Sequence, residues 1–301
     1  MAYNILSCDG GGIRSILTAS ICRELQKDDI NLMRQIDAFA GTSGGAIVSA
    51  GLAIGMTPDE VVDSFKASAK NIFKTTINRK LGNLFGVFGA TYDNSGLINE
   101  VKKIFGNMRF KDLKRSLLVT SFDLQYKVSM TKYKWRPTVF HNLGKGATPD
   151  EFVADAVIRS ASAPTYFPSY QGYIDGGVFA NNPAMAILSQ AMKNDHASVI
   201  NLLSIGTGDI YRNIPGDNND WGVGQWVTDV RIIDLLMSAP NEATDYYCKA
   251  ILGDRYLRIN PPIQDIPLDA VGRMGELESL ASGCIDTSTI CWIDKYIGIK
   301  D

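Results

Sequence analysis

The chain has few of the residues on which several common protein chemistries depend. Only two of its 301 residues are histidines, so a Ser-His-Asp triad would have to use His141 or His196. The five cysteines are irregularly spaced and contain no Cys-x-x-Cys pair, which predicts reduced thiols and no structural zinc site. Lysine and arginine total 30 against 32 acidic residues, for a net charge of −2. This balance leaves no excess of cations to neutralise phosphates and argues against a nucleic-acid-binding protein.

Signals for export or membrane insertion are also missing from the sequence. The N-terminus has neither a basic region nor a long apolar region, and Asp9 comes too early for a signal peptide. We therefore expect a cytoplasmic protein, with peripheral attachment to membranes left open. Residues 38–56 carry no charge, but five glycines and three hydroxyl side chains interrupt them. This composition predicts a strand, a tight turn and a buried helix rather than a transmembrane span.

The chain alternates apolar strand patterns with helical patterns. Ile13, Ile16, Leu17, Ile21 and Leu25 fall on one helical face after a first strand. Further strands are predicted at residues 36–40, 116–122, 127–133, 138–141, 199–205 and 255–260, and a helix at 228–252 with an interruption near Pro240. The alternation predicts a three-layer α/β/α fold with a mostly parallel central sheet. Without linkers or repeats, we expect one domain over residues 1–301, with residues 211–301 as its helical extension.

Residues 72–91 have a different pattern from the rest of the chain. Glycines alternate with apolar residues that have no clean period, and Lys74, Arg79 and Lys80 lie nearby. Such a segment is typical of a lid or a membrane-contact element, or of an irregular packed connection.

Gly41-Thr42-Ser43-Gly44-Gly45 matches the pattern G-x-S-x-G between a predicted strand and a predicted helix. In a nucleophile elbow, a serine on a strained turn needs small neighbours such as Gly41 and Gly45, so that backbone can approach backbone. The N-terminus of the helix that follows favours negative charge developing at the serine. The alternative is a tight strand-to-helix turn with no catalytic role.

Asp9-Gly10-Gly11-Gly12-Ile13-Arg14 also follows a strand and opens a helix. Consecutive glycines expose several N–H groups at a helix N-terminus, an arrangement that binds anions. Either an oxyanion hole or a phosphate cradle fits, and a simple turn is the third interpretation. Ser15 stands where the third glycine of a dinucleotide-binding fingerprint would be.

The base for a catalytic serine is ambiguous from the residues alone. Asp175-Gly176 between apolar residues favours a β-hairpin turn over a catalytic aspartate. His196 precedes a strand and is expected at the sheet edge opposite to the ligand-binding edge. His141 is better placed, but a structural role is favoured for it as well. If neither histidine serves, a carboxylate has to be the base.

Taken together, these motifs resemble the patatin-like phospholipase family. Residues 160–164, 167–168 and 181–183 (SASAP, FP and NNP) add to the resemblance, which extends over residues 9–183. It implies a serine lipid acyl hydrolase with Ser43 as nucleophile and Asp175 as general base. It further implies an oxyanion hole from Gly10, Gly11 and Gly12 with Arg14 beside it, and acyl lipid substrates at a membrane or micelle surface. No metal or cofactor is implied.

Two positions depart from the family pattern. Ser15 replaces a usual glycine, and Gly44 stands where threonine or alanine is frequent. Neither change removes an N–H donor, so we expect the chemistry to survive with a looser turn.

Candidate lipid contacts are aromatic residues outside the motifs, namely Phe85, Phe88, Trp221 and Trp226. Two alternatives stay open: a catalytically weak lipid-binding or interaction protein on the same fold, and a nucleotide-binding module using the Gly10–Gly12 loop. Headgroup, chain length and oligomeric state are not predicted.

Overall fold

Strands of the central sheet come from both halves of the chain. The computed structural model describes residues 2–28, 32–74, 89–194, 199–213, 216, 220–222, 226 and 232–298. Within these residues the strands are β1 (Tyr3–Cys8), β2 (Ala38–Gly41), β3 (Ser116–Lys127), β4 (Tyr133–His141), β5 (Tyr173–Asp175), β6 (Ile200–Ile205) and β7 (Tyr256–Ile259).

Helices connect most of these strands. They are α1 (Ser15–Asp28), α2 (Leu32–Gln35), α3 (Gly44–Ala53), α4 (Pro58–Ile72), α5 (Ser95–Phe105), α6 (Val153–Ala161), α7 (Gly177–Ala180), α8 (Ala184–Lys193), α9 (Ile232–Leu252), α10 (Met274–Leu280) and α11 (Thr287–Tyr296). Short 3-10 helices include Gly12–Arg14 before α1 and Ala281–Cys284 after α10.

The sheet has the order β4-β3-β2-β1-β6-β7, and β5 pairs with β3. Strands β3, β2, β1, β6 and β7 are mutually parallel, whereas β4 and β5 run antiparallel to β3. Helices cover both faces. The predicted three-layer α/β/α fold with a mostly parallel sheet is therefore confirmed, with a mixed edge. Strand β7 places part of the C-terminal region inside this sheet.

Two apolar clusters lie on opposite faces of the sheet. In β2, Phe39 joins the cluster under α1, α3, α4, α5 and α6, while Ala38 and Ala40 join the cluster under α8. This alternation follows from the two-residue period of a strand. Since β2 is buried on both faces, its sequence is apolar throughout, as in parallel sheets generally.

Strand β2 ends at Gly41, and beyond this point β5 pairs with β3 in its place. Gly41, the last residue of β2, pairs with Val119, and Asp175 pairs with Ser121 two residues further along β3. Asp175 therefore lies about 7 Å beyond the end of β2 along β3. This register brings Asp175 to the turn that follows β2.

Several local predictions are confirmed or corrected by the structure. Residues 38–56 form β2, a turn and α3, as predicted. No helix within the described ranges combines the length and apolar composition that crossing a bilayer requires. The predicted strand at 127–133 is wrong, because residues 128–132 form the turn between the longer strands β3 and β4. The predicted interruption near Pro240 is also wrong, since α9 continues through this residue.

Candidate active site

Ser43 lies on a sharp turn between β2 and α3. Its backbone has φ 55° and ψ −125°, a conformation that residues other than glycine rarely adopt. The Ser43 N–H donates to Ser160 Oγ on α6 at 2.9 Å, so a neighbouring helix holds the strained turn. α3 begins at the next residue, and its N-terminus therefore faces the serine with its partial positive charge. Ser43 thus has the strand, strained turn and helix that an elbow requires, and its role as a nucleophile stays a prediction.

Close backbone contact joins the elbow to the end of β1. A Cβ placed on Gly45 would lie 2.3 Å from the carbonyl oxygen of Asp9, so a side chain at this position would push α3 away from β1. Asp9 is the residue from which the glycine loop departs. Gly45 therefore allows the elbow and the glycine loop to lie side by side.

Asp175 is fully buried beside the elbow. Its Oδ1 accepts a hydrogen bond from the Gly177 N–H at 2.7 Å, while Oδ2 makes no well-formed hydrogen bond to the described residues. Burial raises the pKa of Asp175 to about 6, opposed by hydrogen bonding from the nearby Ser43 hydroxyl and from Gly177. The hairpin-turn interpretation is wrong, because β5 leads directly into α7.

The glycine loop is held in place through its own backbone. The Gly10 N–H donates to the Asn181 carbonyl at 2.9 Å, and the Gly10 carbonyl accepts from Thr207 Oγ1 at 3.0 Å. Gly12 has φ 54°, and a Cβ there would lie 2.4 Å from the Leu268 carbonyl oxygen. Among the described residues, no hydrogen bond engages the N–H groups of Gly11 and Gly12. The Gly10 N–H is therefore engaged within the protein, and an oxyanion hole formed by this loop stays a prediction.

A buried ion pair anchors the start of this loop. Arg258 on β7 binds both carboxylate oxygens of Asp9, at 2.9 and 2.5 Å, and also donates to Ser204 Oγ at 2.8 Å. Burial alone would lower the pKa of Arg258. The charge of the Asp9 carboxylate and its hydrogen bonds have the larger effect, and the pKa of the guanidinium is raised. The two-pronged contact fixes the orientation of Asp9 and hence the departure of the glycine loop from β1.

Ser15 and Gly44, the two departures from the family pattern, are in contact. A Cβ on Gly44 would lie 2.5 Å from Ser15 Oγ and 2.6 Å from the Gly12 carbonyl oxygen. The larger residue at 15 thus occupies space that a side chain at 44 would need. A side chain at 44 would also meet the backbone of the glycine loop at Gly12, and the expectation of a looser turn stays a prediction.

This contact predicts coupled effects of substitution. Gly44→Ala should overpack this contact and lower the free energy of unfolding by about 1–3 kcal/mol. Ser15→Gly should have little effect alone and should recover part of the loss when combined with Gly44→Ala. A double-mutant cycle in urea unfolding measures the coupling. Strict additivity, or an unchanged free energy of unfolding in Gly44→Ala, would contradict the coupling.

The elbow, the aspartate and the glycine loop line one cavity of about 610 Å³. Many of its apolar lining residues come from α4, α5 and the segment after α6, namely Phe65, Ala69, Ile72, Phe73, Leu97, Val101, Ile104, Ala163, Tyr166 and Phe167, and Ser68 and Glu100 of the same two helices also line it. Its polar lining residues include Arg14, Thr207, Asp209, Arg212, Asn213, Asn241, Glu242, Asn260 and Asp265, and the apolar Ile210, Leu235, Ala239 and Leu268 lie among them in the sequence. The cavity therefore has a mixed apolar and polar lining, which includes Ser43.

Other residues singled out in the sequence lie elsewhere. His141 is buried, pairs with Leu118 on the face of the sheet that α8 covers, and does not line the cavity. Burial lowers its pKa, and its Nδ1 accepts from the Leu143 N–H at 3.1 Å. Trp221 and Trp226 pack edge to face at 5.5 Å, also outside the cavity lining, so lipid contact stays a prediction for them. His196, Phe85, Phe88 and most of the 72–91 segment lie outside the described residues.

Sequence reasoning assigned no role to several residues that position the site. Ser160 and Asn181 belong to motifs to which the sequence analysis gave no function. In the structure, Ser160 Oγ accepts a hydrogen bond from the Ser43 N–H, and the Asn181 carbonyl accepts one from the Gly10 N–H. The sequence analysis did not identify Arg258 as a residue that positions the site. The signal that could have identified it is a single cation within the otherwise apolar strand β7. Among the described residues, no group of three potential metal ligands comes together.

Comparison with known proteins identifies the family. The family model for patatin-like phospholipases matches residues 6–188, and the chain belongs to this family.

Individual relatives extend over most of the chain. Protein teg of Priestia megaterium is 29% identical over 291 residues, covering 87% of this chain and 88% of the relative. Patatin-like protein 1 of Arabidopsis thaliana is 28% identical, covering 85% and 73%. The cGAMP-activated phospholipase of Pseudomonas aeruginosa is 27% identical, covering 86% and 78%. The solved structure of VipD from Legionella pneumophila aligns with a TM-score of 0.45 and 11% identity, over 98% of this chain and 67% of that one.

Proposed function

We propose that the chain is a serine lipid acyl hydrolase of the phospholipase A or esterase type, acting through a Ser43–Asp175 dyad. The observation that carries the proposal is the meeting of three features in one cavity. These are a serine on a strained elbow, a buried carboxyl with an open Oδ2, and a glycine loop with two unengaged N–H groups. Membership of the patatin-like phospholipase family supports the same chemistry.

Acylation begins with proton transfer from Ser43 to Asp175. Oδ2 accepts the proton of the Ser43 hydroxyl while Oγ attacks the carbonyl carbon of the ester. A pKa of about 6 leaves Asp175 mostly ionised at pH 7 to 8 while keeping it basic enough to take the proton. The hydrogen bond to Ser43 is expected to tighten once substrate is bound, as in many catalytic sites.

The N–H groups of Gly11 and Gly12 are the proposed oxyanion donors. Gly10, whose N–H is engaged by Asn181, shapes the loop, and the cation of Arg14 adds positive charge at the cavity wall. Preorganised donors of this kind stabilise charge that develops only in the transition state, and losing one typically lowers turnover about 10²–10³-fold.

Collapse of the tetrahedral intermediate completes the first half of the reaction. The C–O bond to the alcohol breaks, and the leaving oxygen takes the proton held by Asp175. A water molecule then attacks the acyl-enzyme, with Asp175 again accepting the proton, and the fatty acid leaves as Ser43 regains its hydrogen. None of these steps requires a metal or cofactor.

The mixed lining of the cavity suits an amphiphilic ester. The apolar residues of α4, α5 and the segment after α6 are the proposed contacts of the acyl chain, and the polar lining residues, which carry charges of both signs, are the proposed contacts of the alcohol part of the lipid.

Fatty-acid release from a lipid panel tests the proposal. Phosphatidylcholine, phosphatidylglycerol, galactolipid and diacylglycerol are offered in mixed micelles with EDTA, to the wild type, to Ser43→Ala and to Ser189→Ala as an exposed-serine control. We expect release by the wild type and the control from at least one lipid, and only background release by Ser43→Ala.

Two results would redirect the assignment. Equal release by Ser43→Ala would remove Ser43 as nucleophile. No release from any lipid or soluble ester would favour the lipid-binding alternative, and a rise in Tm with NAD or ATP would favour nucleotide binding.

A further inference from the structure

The hairpin between β3 and β4 carries a concentration of exposed apolar side chains. All residues from 127 to 137 are exposed. Val128, Met130, Tyr133 and Trp135 are 55%, 87%, 61% and 74% exposed. Single exposed apolar residues are common on protein surfaces. Four of them on one short hairpin, including a tryptophan, are typical of a site that contacts a membrane or another protein.

The same hairpin is strongly basic. Residues 124–137 contain Lys127, Lys132, Lys134 and Arg136 and no acidic residue, in a chain whose net charge is −2. Two of these cations lie over the ring of Tyr126: Arg136 is 4.1 Å and Lys134 is 5.8 Å from the ring centroid. Because side chains alternate along a strand, Tyr133 and Trp135 project from the opposite face.

The hairpin projects from the edge of the sheet that carries the candidate active site. Val119 on β3 is level with Gly41 at the end of β2, and Asp175 is opposite Ser121. β3 then continues to Lys127, roughly 25 Å beyond Val119 at the rise of an extended strand. A flat surface that contacts the tip therefore faces the same edge as Ser43.

We propose that residues 126–136, here called the docking hairpin, insert their apolar side chains into the interface of a bilayer that contains anionic phospholipids. Tryptophan and tyrosine settle at the level of lipid headgroups, and lysine and arginine are attracted to anionic headgroups beside them. The positive charge of the hairpin complements an anionic surface and argues against a basic or neutral partner, and the exposed tryptophan and tyrosine favour a lipid interface. The docking hairpin is separate from the Ser43 cavity, and its role does not depend on the chemistry proposed for Ser43.

Vesicle binding tests this role without lipid hydrolysis. In a Ser43→Ala background, the full chain is sedimented with vesicles of phosphatidylcholine alone or of phosphatidylcholine with 30 mol% phosphatidylglycerol. We expect binding to the anionic vesicles, weakened by 0.5 M NaCl. Lys132→Gln and Lys134→Gln should each lower the partition coefficient about fivefold. Met130→Ser with Trp135→Ser should lower it at least tenfold.

Matched controls separate docking from folding and from catalysis. Tyr246→Ser with Tyr247→Ser removes two exposed aromatic side chains on α9 and should leave vesicle binding unchanged. With Ser43 intact, the hairpin variants should keep the Tm and the soluble-ester kinetics of the wild type, because their side chains are exposed and far from the cavity.

Three outcomes would overturn the proposal. The first is undiminished binding of the hairpin variants to anionic vesicles, and the second is equal binding of the wild type to both vesicle types. The third is a wild-type dimer in light scattering that the hairpin substitutions dissociate, combined with no vesicle binding, which would assign the hairpin to a second copy of this chain.

Discussion

Ser43→Ala and Asp175→Asn are each expected to lower kcat/KM for a soluble ester about 10³-fold or more, and the double variant should be no slower than the worse single variant. The two side chains are proposed to act as one unit, so removing either one removes the activated nucleophile. Initial rates at pH 8 measure the effect, with Ser189→Ala as control. An Asp175→Asn enzyme within tenfold of the wild type would exclude Asp175 as the base.

The inactive Asp175→Asn protein is also expected to be more stable than the wild type at pH 8. Burial raises the pKa of Asp175 from 3.8 to about 6, so the folded state holds this proton more tightly than the unfolded chain does. The contribution of Asp175 to the stability of the wild type is therefore lost as the pH rises from about 4 to about 6, and above this window its buried charge costs about 3 kcal/mol. Asparagine has no charge to bury and avoids this cost.

Thermal or urea unfolding across pH 4 to 8 measures this difference. The advantage of Asp175→Asn should grow through the window and level off above pH 6. A variant that is less stable than the wild type at pH 8 would show that the Asp175 carboxylate is stabilised in the fold, and that its environment is not the one described.

Arg258→Met is expected to destabilise the fold by about 3–5 kcal/mol and to slow catalysis as well. The substitution leaves the Asp9 carboxylate buried without its counter-ion, and losses of this size are usual when one partner of a buried pair is removed. The Asp9 side chain is only 2% exposed, so bulk water solvates its carboxylate poorly once the guanidinium is removed. Because the glycine loop departs from Asp9, kcat should fall even at temperatures where the variant is folded.

Two further variants separate charge from geometry at this pair. Arg258→Lys keeps a cation but loses the two-pronged contact, so it should be intermediate in stability and in kcat. Arg258→Met combined with Asp9→Asn removes both charges and should recover much of the stability but not the full kcat. A loss below 1 kcal/mol in Arg258→Met would contradict the anchoring role of the pair.

The sequence predicted best those parts of the site that form from adjacent residues. The elbow follows from Gly41-Thr42-Ser43-Gly44-Gly45 because a strand, a tight turn and a helix follow each other within sixteen residues, Ala38 to Ala53. The glycine loop is a local feature of the same kind. By contrast, the contact between Asp9 and Arg258 joins residues 249 positions apart, and no spacing rule predicts it.

Turn signals explain the errors of local prediction. Residues 128–132 connect β3 to β4 without glycine, proline, asparagine or aspartate, so the predicted strand at 127–133 had no visible break within it. The pair Asp175-Gly176 is typical of a hairpin turn. In the structure, β5 instead pairs with β3 and is followed directly by α7, so the pair forms a strand-to-helix turn. The role proposed for Asp175 rests on the family resemblance, because its pairing with β3 is not local.

Labelling by an alkyl fluorophosphonate tests the central claim most directly, because this reagent phosphonylates a serine whose hydroxyl is activated by a neighbouring base. Peptide mapping by mass spectrometry locates the adduct, and the rate is followed from pH 5 to pH 8. We predict one adduct, on Ser43, formed at a rate that rises with pH through about 6 and is lost in Asp175→Asn. An adduct on another serine, or equal labelling of Ser43 in Asp175→Asn, would contradict the proposed dyad.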